Sequence, residues 1–205
     1  MVILYHKIIF FTLDKLCLLW YIKAGDNMGT EYEVRLLEVD IPSMVLKIEK
    51  LGGKKVGDWF QKRYVYDTNP KHPSKWYRLR TNGIETTLTY KNVEKNTIDG
   101  TKELEIVVSD FDKTNEMMEL LGYTHKGYQE NKRIRYMLDG VEIDIDSWPL
   151  IPTYMEIEGK SVEDVERILG LLNIDSNKVT ALNCEDIYKE VYNIDIDSIK
   201  ELKFK

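Results

Sequence analysis

From Thr30 to Gly159 the sequence alternates apolar and polar residues with a period of two, and this alternation constrains the fold more than any other feature. Side chains of a β-strand point alternately to the two faces of a sheet, so each alternating run predicts a strand with one apolar face. Eight runs have this form: EYEVRLLEV, KRYVYDT, KWYRLRT, IETTLTYK, KELEIVVS, NKRIRYML, VEIDIDSW and TYMEIEG. The pairs Asn82-Gly83 and Asp139-Gly140 each separate two runs and favour hairpin turns. Neighbouring strands are therefore predicted to be antiparallel.

Three segments between or after these runs have helical patterns instead: IPSMVLKIEKLG, TNEMMELLG and SVEDVERILGLL. Pro42 suits a first helical turn, and Ser161 suits a helix N-cap. The C-terminal segment CEDIYKEVYNIDIDSIKELKF predicts a helix followed by a short apolar stretch that packs on the body of the domain. Three helices among eight strands predict the α+β fold class.

Length and composition favour one domain and a small-molecule partner. The chain has 205 residues, of which 43% are hydrophobic, enough for a single core. Its net charge of −6 argues against nucleic acid and anionic membranes as partners, because both usually require a positive surface. The two cysteines, Cys17 and Cys184, form neither a disulfide framework nor a metal motif, so we expect a cytoplasmic protein.

The first 28 residues are apolar but are interrupted by His6, Lys7, Asp14 and Lys15. A membrane-spanning helix requires roughly 20 residues that are nearly free of charge. The segment also lacks the uninterrupted apolar run and the cleavage site of a secretory signal. We expect residues 1–28 to be an extension outside the fold and residues 29–205 to form one domain. A membrane-associated helix is the alternative for the extension.

Charged residues on the polar faces of these strands occur in pairs of the same sign, two positions apart. A polar face is most simply explained as the solvent-exposed side of an antiparallel sheet, but such faces usually mix residue types. We therefore predict that the strands close and that the pairs face an interior. The pairs are Glu31 and Glu33, Arg78 and Arg80, Glu103 and Glu105, Arg133 and Arg135, Asp144 and Asp146, and Glu156 and Glu158.

An enclosed set of carboxylates requires cations. Two carboxylates about 4 Å apart repel each other by on the order of 4 kcal/mol at an effective dielectric constant near 20. Oxygen ligands of this kind suit Mg²⁺ or Mn²⁺. A polyphosphate could then lie between the bound metal on one side and arginine and lysine side chains on the other.

The segment EYEVR at residues 31–35 resembles the ExExK signature of the CYTH domain family, also called triphosphate tunnel metalloenzymes. This family is named from class IV adenylate cyclases and thiamine triphosphatases. The similarity continues in order through WYRLR, LTYK, KELEI, NKRIR and IDIDSWPLIPTYMEIEG, covering roughly Thr30 to Gly159. The resemblance implies an eight-stranded antiparallel β-barrel with flanking helices, a triphosphate substrate, and Mg²⁺ or Mn²⁺ as cofactor.

The resemblance also implies residue roles. The metal ligands would be Glu31, Glu33, Asp146, Glu156 and Glu158. The phosphate-binding residues would be Arg35, Arg78, Arg80, Lys91 and Arg133, with Arg135 added by strand parity. The acidic lining would comprise Glu103 and Glu105, with Asp144 added by parity.

The sequence departs from the family pattern at two positions. Arg35 stands where lysine is usual, and because a guanidinium does not lose its proton, the candidate catalytic base becomes Lys91. A metal-bound water is the alternative. Asn131 stands where the family often has lysine, two residues before Arg133, and Lys132 should point to the other face. One phosphate contact is therefore expected to be missing.

The first functional hypothesis is metal-dependent hydrolysis of inorganic triphosphate or a nucleoside triphosphate. The alternative enzyme is an adenylate cyclase, and the sequence does not separate the two. A polyphosphate-binding module without activity and a purely structural barrel are further alternatives, and a homodimer is left open. We expect His6, His72 and His125 to be structural, whereas Trp148 could stack on adenine if the substrate is ATP.

Overall fold

The computed structural model describes residues 28–205. Of the predicted extension, residues 1–28, all but Met28 lies outside the described residues, as do His6 and Cys17. The chain forms eight main strands where the alternating runs predict them: β1 (Gly29–Leu36), β2 (Lys54–His72), β3 (Lys75–Thr81), β4 (Thr86–Val93), β5 (Thr101–Val108), β6 (His125–Leu138), β7 (Val141–Ser147) and β8 (Tyr154–Gly159).

These eight strands close into a barrel. Following the hydrogen-bonded neighbours, the order is β1, β5, β4, β3, β2, β6, β7, β8 and back to β1, and every one of these pairings is antiparallel. The prediction of an eight-stranded antiparallel barrel is confirmed. In this cyclic order β2 lies opposite β1, and β3 lies opposite β8.

Both predicted hairpins are present. Asp139 and Gly140 join β6 to β7 with φ angles of 50° and 80°. Two consecutive positive φ angles are typical of the tight turn whose twist matches that of the two strands. Asn82 and Gly83 lie in the slightly longer turn between β3 and β4, where Gly83 also has a positive φ of 85°.

The three predicted helices are α1 (Ile41–Lys50), α2 (Phe111–Leu120) and α3 (Val162–Leu171). Each begins after a residue whose side chain accepts a hydrogen bond from a backbone N–H of the first turn, namely Asp40, Asp110 and Ser161. The main core lies outside the barrel, where α1 and α3 cover the apolar outer faces of the strands. It includes Val34, Ile48, Tyr136, Ile143, Ile157, Val165 and Ile168. The barrel interior is thereby left to the charged faces.

The chain after residue 178 closes over one end of the barrel. A two-residue strand, β9 (Val179–Thr180), pairs with β1, and a short helix, α4 (Cys184–Asp186), continues as a π-helical turn at Ile187–Val191. Another two-residue strand, β10 (Glu201–Leu202), pairs in parallel with β6. A second apolar cluster holds this segment on the loop after β7 and comprises Trp148, Ile151, Tyr154, Ile187, Tyr188, Ile196 and Leu202. Within residues 28–205, no helix has the length and apolar character needed to cross a membrane.

Candidate active site

The barrel encloses a cavity of about 280 Å³ lined mainly by charged side chains. Twelve of the predicted site residues line it: Glu31, Glu33, Arg35, Arg78, Arg80, Lys91, Glu103, Glu105, Arg133, Arg135, Glu156 and Glu158. Asp144 and Asp146 do not line it directly, but both are buried behind Arg133. Five of the six same-sign pairs therefore share one enclosed space, and the sixth lies behind Arg133.

A smaller cavity of about 130 Å³ extends this space past Arg80. Its lining adds Gln61 of β2 and Thr87 of β4, and the side-chain oxygens of both are buried without a hydrogen-bond partner in the described chain. Arg80, Glu105, Arg133 and Arg135 line both cavities. The two cavities thus share charged walls inside the barrel, and together they are called the tunnel here.

Arg133 is the most heavily paired cation of the tunnel. Its Nε donates to Asp146 Oδ1 at 2.7 Å, and its Nη2 contacts the other oxygen of that carboxylate. It also reaches Asp144 at 2.6 Å and Glu156 at 2.6 Å. Asp144 accepts two further hydrogen bonds from Arg135 at 2.7 and 2.6 Å. Asp144 and Asp146 therefore act in this arrangement as supports for the two arginines.

Arg35, the residue in place of the usual lysine, is buried between two carboxylates. Its Nε donates to Glu156 at 2.7 Å, and its Nη2 lies 2.9 Å from Glu33. Its Nη1 donates to the backbone oxygen of Leu182 in the C-terminal segment. Burial opposes its charge, but Glu33 and Glu156 hold the pKa of Arg35 well above its ordinary value. Arg35 therefore keeps its charge, as the sequence predicts for arginine.

Lys91 of β4 contacts one carboxylate on each side. Its Nζ lies 2.8 Å from Glu31 of β1 and 2.8 Å from Glu103 of β5. Burial opposes the charge, but the two carboxylates raise the pKa of Lys91 above its ordinary value. Lys91 is therefore protonated here and cannot accept a proton. Its assignment as the catalytic base stays a prediction. Lys91 could accept a proton only if a bound metal ion replaced it as the partner of Glu31 and Glu103, which would lower the pKa of Lys91.

The two partners of Lys91 differ in their proton affinity. Burial raises the pKa of Glu31 to about 8, and the neighbouring Glu33 and Glu103 add to this effect. Burial also opposes ionisation of Glu103, but Lys91 and Arg78 lower the pKa of Glu103 to about 2. Glu103 is thus the more readily ionised of the two partners, and Glu31 is the one that binds a proton more strongly.

A row of three carboxylates crosses neighbouring strands on the cavity side. Glu158 of β8 is in register with Glu33 of β1 on one side and with Glu142 of β7 on the other. Burial and these two neighbours raise the pKa of Glu158 to about 7. Within the described chain, Glu158 has no basic side chain at ion-pair distance. Sequence analysis did not identify Glu142, although it has the inward parity of Asp144 and Asp146.

The row of Glu33, Glu158 and Glu142 contains the part of the site that a divalent cation would fit best. Residues 28–205 contain no preformed cluster of three metal-ligating side chains, because most tunnel carboxylates are turned toward arginine or lysine. In the part of the chain that the structure describes, Glu33 is nevertheless buried with Arg35 as its one ionic partner, and the adjacent Glu158 is partly buried and has none. Carboxylate oxygens are the ligands that Mg²⁺ and Mn²⁺ prefer. The chemistry of these residues fits such a metal, which Glu33, Glu158 and Glu31 would hold.

One end of the cavity is lined by residues that sequence analysis missed. They are Arg63 and Val65 of β2, Trp76 of β3, Gln129 of β6, and Asn183, Cys184, Glu185, Ile196 and Asp197 of the C-terminal segment. Arg63 has inward parity but no charged neighbour two positions away, so a criterion of paired charges does not select it. The contribution of the C-terminal segment carries no signal in the alternation pattern. Burial raises the pKa of the Cys184 thiol to about 11.

The aromatic and histidine side chains have packing contacts. The ring of Trp148 is covered by the Arg63 guanidinium at 4.3 Å and packs edge-on against Tyr188. His125 packs against Tyr64 with ring centroids 4.2 Å apart, and His72 lies at the end of β2. Stacking of adenine on the covered face of Trp148 would require Arg63 to move.

A model of the CYTH domain matches residues 29–178. The chain belongs to the CYTH domain family. Solved structures share its fold. A conserved hypothetical protein from Pyrococcus furiosus, 18% identical, superposes with a TM-score of 0.66 over 76% of this chain and 98% of that one. A candidate adenylate cyclase from Vibrio parahaemolyticus, 13% identical, superposes with a TM-score of 0.66 over 81% of this chain and 99% of that one.

A Hippeastrum protein described as having a dominant triphosphatase activity is 15% identical, with a TM-score of 0.52 over 82% of this chain and 97% of that one. No curated protein sequence matches the chain. At these identities the structural likenesses establish the CYTH fold. The C-terminal segment that lines the cavity lies beyond the residues matched by the CYTH domain model.

Proposed function

We propose that this CYTH domain protein is an enzyme that hydrolyses a triphosphate, inorganic or attached to a nucleoside, with Mg²⁺ or Mn²⁺. The observation that carries the proposal is the opposition of charges across the closed barrel. Carboxylates of β1 and β8 lie opposite arginines of β2 and β3. A linear polyanion with bound metal is the ligand that complements both walls.

The chain's own residues would bind and orient the phosphates. Arg78 and Arg80 present guanidinium groups, whose planar forks suit phosphate oxygens. Arg80 is only weakly compensated, with Glu105 at 3.6 Å, and burial with the neighbouring Arg78 and Arg133 lowers the pKa of Arg80 to about 9. A divalent ion held by Glu33 and Glu158 would neutralise the charge of the phosphate chain and activate water for attack. Fixed donors in an enclosed site would stabilise the charge that develops during phosphoryl transfer.

We propose residues 29–205 as the functional unit, because the segment after residue 178 supplies part of the cavity lining. The expected cytoplasmic location is consistent with the thiol of Cys184 being free. The proposed partner is the triphosphate substrate, together with the metal ion, and a homodimer stays an open alternative.

An adenylate cyclase is the second candidate. It is favoured by Trp76, an aromatic side chain at the cavity lining that is not covered by Arg63 and could contact a nucleobase. The reaction would use the same tunnel, with attack on the α-phosphorus by the ribose hydroxyl. Its product, cyclic AMP, distinguishes it from hydrolysis.

The deciding experiment incubates the purified protein with tripolyphosphate, ATP or thiamine triphosphate, each with Mg²⁺ or Mn²⁺, and measures phosphate, pyrophosphate and cyclic AMP. We expect phosphate release that requires metal. Cyclic AMP with pyrophosphate would instead establish the cyclase. Absence of turnover with every substrate, despite binding of tripolyphosphate, would contradict both enzymes.

Glu33→Gln tests the metal site within this experiment. The amide keeps the shape of the side chain but removes a charged ligand, so we expect turnover to fall by about 100-fold or more at a given metal concentration. The fold should be retained, as judged by circular dichroism. Glu166→Gln, on the exposed face of α3, is the control and should leave activity unchanged. Full activity of Glu33→Gln would remove Glu33 from the metal site.

A further inference from the structure

Arg63 is a buried cation on the tunnel wall. Its residue is 6% exposed, and it lies on β2, opposite the strand that carries Glu31 and Glu33. Its Nη2 donates to Asn131 Oδ1 at 2.7 Å, and its guanidinium lies 4.3 Å from the centre of the Trp148 ring. These two contacts fix the position of the guanidinium but do not neutralise its charge.

The charge of Arg63 is not balanced within the described chain. No carboxylate of residues 28–205 lies at ion-pair distance from it, and its Nε is buried without a hydrogen-bond partner. The other tunnel arginines all have a carboxylate within 4 Å, for example Arg35 with Glu156 and Arg78 with Glu105. Burial, together with the nearby Arg78 and Arg133, lowers the pKa of Arg63 to about 10. A buried charge is costly unless it is paired, so an anion is expected beside it.

The neighbours of Arg63 indicate what kind of anion this is. On β3, Arg80 is directly in register with Arg63, and Arg78 is the next inward residue of that strand. Arg133 lies close enough on β6 to lower the pKa of Arg63. Four guanidinium groups on three adjacent strands favour a ligand with several negative charges at short spacing, although only Arg63 of the four lacks a carboxylate partner within the described chain. A chain of phosphates has this property, whereas a single carboxylate or a nucleobase does not.

We propose that Arg63 is a further phosphate-binding residue of the tunnel and that Trp148 is a positioning residue that holds Arg63, not a platform for a nucleobase. The proposal rests on the proposed function, since it assigns a residue to the same substrate. The proposal also accounts for Asn131, which is neutral and stands at an inward position of β6 where the family often has lysine. Arg63 places a cation beside this position. The charge comes from the adjacent strand, across a direct Arg63–Asn131 hydrogen bond.

The test measures tripolyphosphate binding by calorimetry at fixed Mg²⁺, after wild-type hydrolysis has been measured separately. Arg63→Gln removes the cation and should weaken binding by about 10-fold or more, as expected for a charge-assisted hydrogen bond in a buried site. The double variant Arg63→Gln with Asn131→Lys places a cation on the facing residue and should restore binding to within about 3-fold of wild type. Arg167→Gln, which removes a partly exposed arginine outside the tunnel, is the matched control and should bind like wild type.

A folded Arg63→Gln protein that binds tripolyphosphate as tightly as wild type would overturn the proposal. If Arg63→Gln does not fold, Arg63→Met, whose side chain is of similar length and uncharged, replaces it, and unchanged tripolyphosphate binding by that variant would equally overturn the proposal. Trp148→Leu should weaken tripolyphosphate binding, although this ligand contains no base to stack, and unchanged binding would contradict the positioning role. Wild-type protein that binds tripolyphosphate without hydrolysing it would remove the proposed function and leave the assignment of Arg63 intact.

Discussion

The ionisation of Glu158 affects the stability of the folded protein. Its carboxylate is flanked in register by Glu33 and Glu142, and burial with these neighbours raises its pKa from the ordinary value of 4.5 to about 7. The folded chain therefore binds this proton more strongly than the unfolded chain. The contribution of Glu158 to the free energy of unfolding is therefore present at low pH, and it is lost as the pH rises from about 4.5 to about 7.

Glu158→Gln should therefore stabilise the metal-free protein at neutral and alkaline pH, because the amide removes a buried charge from the row. With a chelator present, we expect its melting temperature to exceed that of wild type by about 3 °C or more at roughly pH 8, with the difference shrinking toward about pH 5. Thermal unfolding followed by circular dichroism measures this. Added Mn²⁺ should stabilise wild type but not the variant. A variant that is less stable than wild type at pH 8 would contradict this account.

Most inward-facing residues of the site could be predicted from the sequence, because parity along a strand determines the face of every side chain. Glu31, Arg78 and Glu156 needed only the alternation of their strands. Arg63 was missed because its single charge resembles an ordinary polar position on a strand face. The pairing of Asp146 with Arg133 depends on the register of β6 and β7, which the sequence indicates only through the Asp139-Gly140 turn.

At the scale of elements, β6 and the C-terminal segment approach closely at Gly127. A Cβ atom at this position would lie 2.8 Å from the backbone oxygen of Ile199. The adjacent Tyr128 donates its backbone N–H to Lys200 at 2.9 Å, and β10 pairs with β6 at the same place. Glycine at 127 is thus required for the C-terminal segment to lie against the barrel.

Gly127→Ala should destabilise the protein by about 1–3 kcal/mol, because the backbone of the segment must move away. Urea unfolding monitored by tryptophan fluorescence measures the change. Gly170→Ala is the matched control: no heavy atom lies within 4 Å of its added Cβ, and alanine favours the interior of α3. It should be neutral or stabilising by up to about 1 kcal/mol. Equal stability of wild type and Gly127→Ala would show that the segment adapts freely.

The elements differed in how well the sequence predicts them. The helices α1, α2 and α3 have polar N-cap residues, and α1 also has Pro42 in its first turn, so their type follows from local chemistry. The start of α2 was predicted less well, because the helix begins at Phe111, before the predicted segment TNEMMELLG. The two-residue strands β9 and β10 have no such signal. They form because the segment packs onto Trp148 and Tyr154 through the second apolar cluster, a contact between distant parts of the chain.

At the scale of the whole molecule, most acidic and basic side chains of the tunnel form ion pairs with one another. Lys91 holds Glu31 and Glu103, and Arg35 holds Glu33 and Glu156. Except at Glu158 and Arg63, a metal ion must displace a basic side chain from a carboxylate, and a phosphate must displace a carboxylate from a basic side chain. Metal binding therefore frees basic side chains to bind phosphate, and phosphate binding frees carboxylates to bind the metal.

Metal and triphosphate should consequently bind with positive coupling. We expect saturating Mn²⁺ to increase the affinity for tripolyphosphate by about 10-fold or more, and tripolyphosphate to increase the affinity for Mn²⁺ by the same factor. Calorimetric titrations in both orders measure this, after correction for the binding of Mn²⁺ to tripolyphosphate in solution. Identical affinity with and without metal would mean that the internal ion pairs do not compete with the ligands.

Closure of the barrel joins the first and last of its eight strands, since β1 begins at Gly29 and pairs with β8, which ends at Gly159. During synthesis, β1 leaves the ribosome long before this partner exists. Topologies dominated by pairing between distant segments fold slowly, typically in milliseconds to seconds. Until β8 emerges, one edge of β1 lacks its partner, and charged side chains such as those of Glu31 and Glu33 disfavour association of an unpaired edge with other chains.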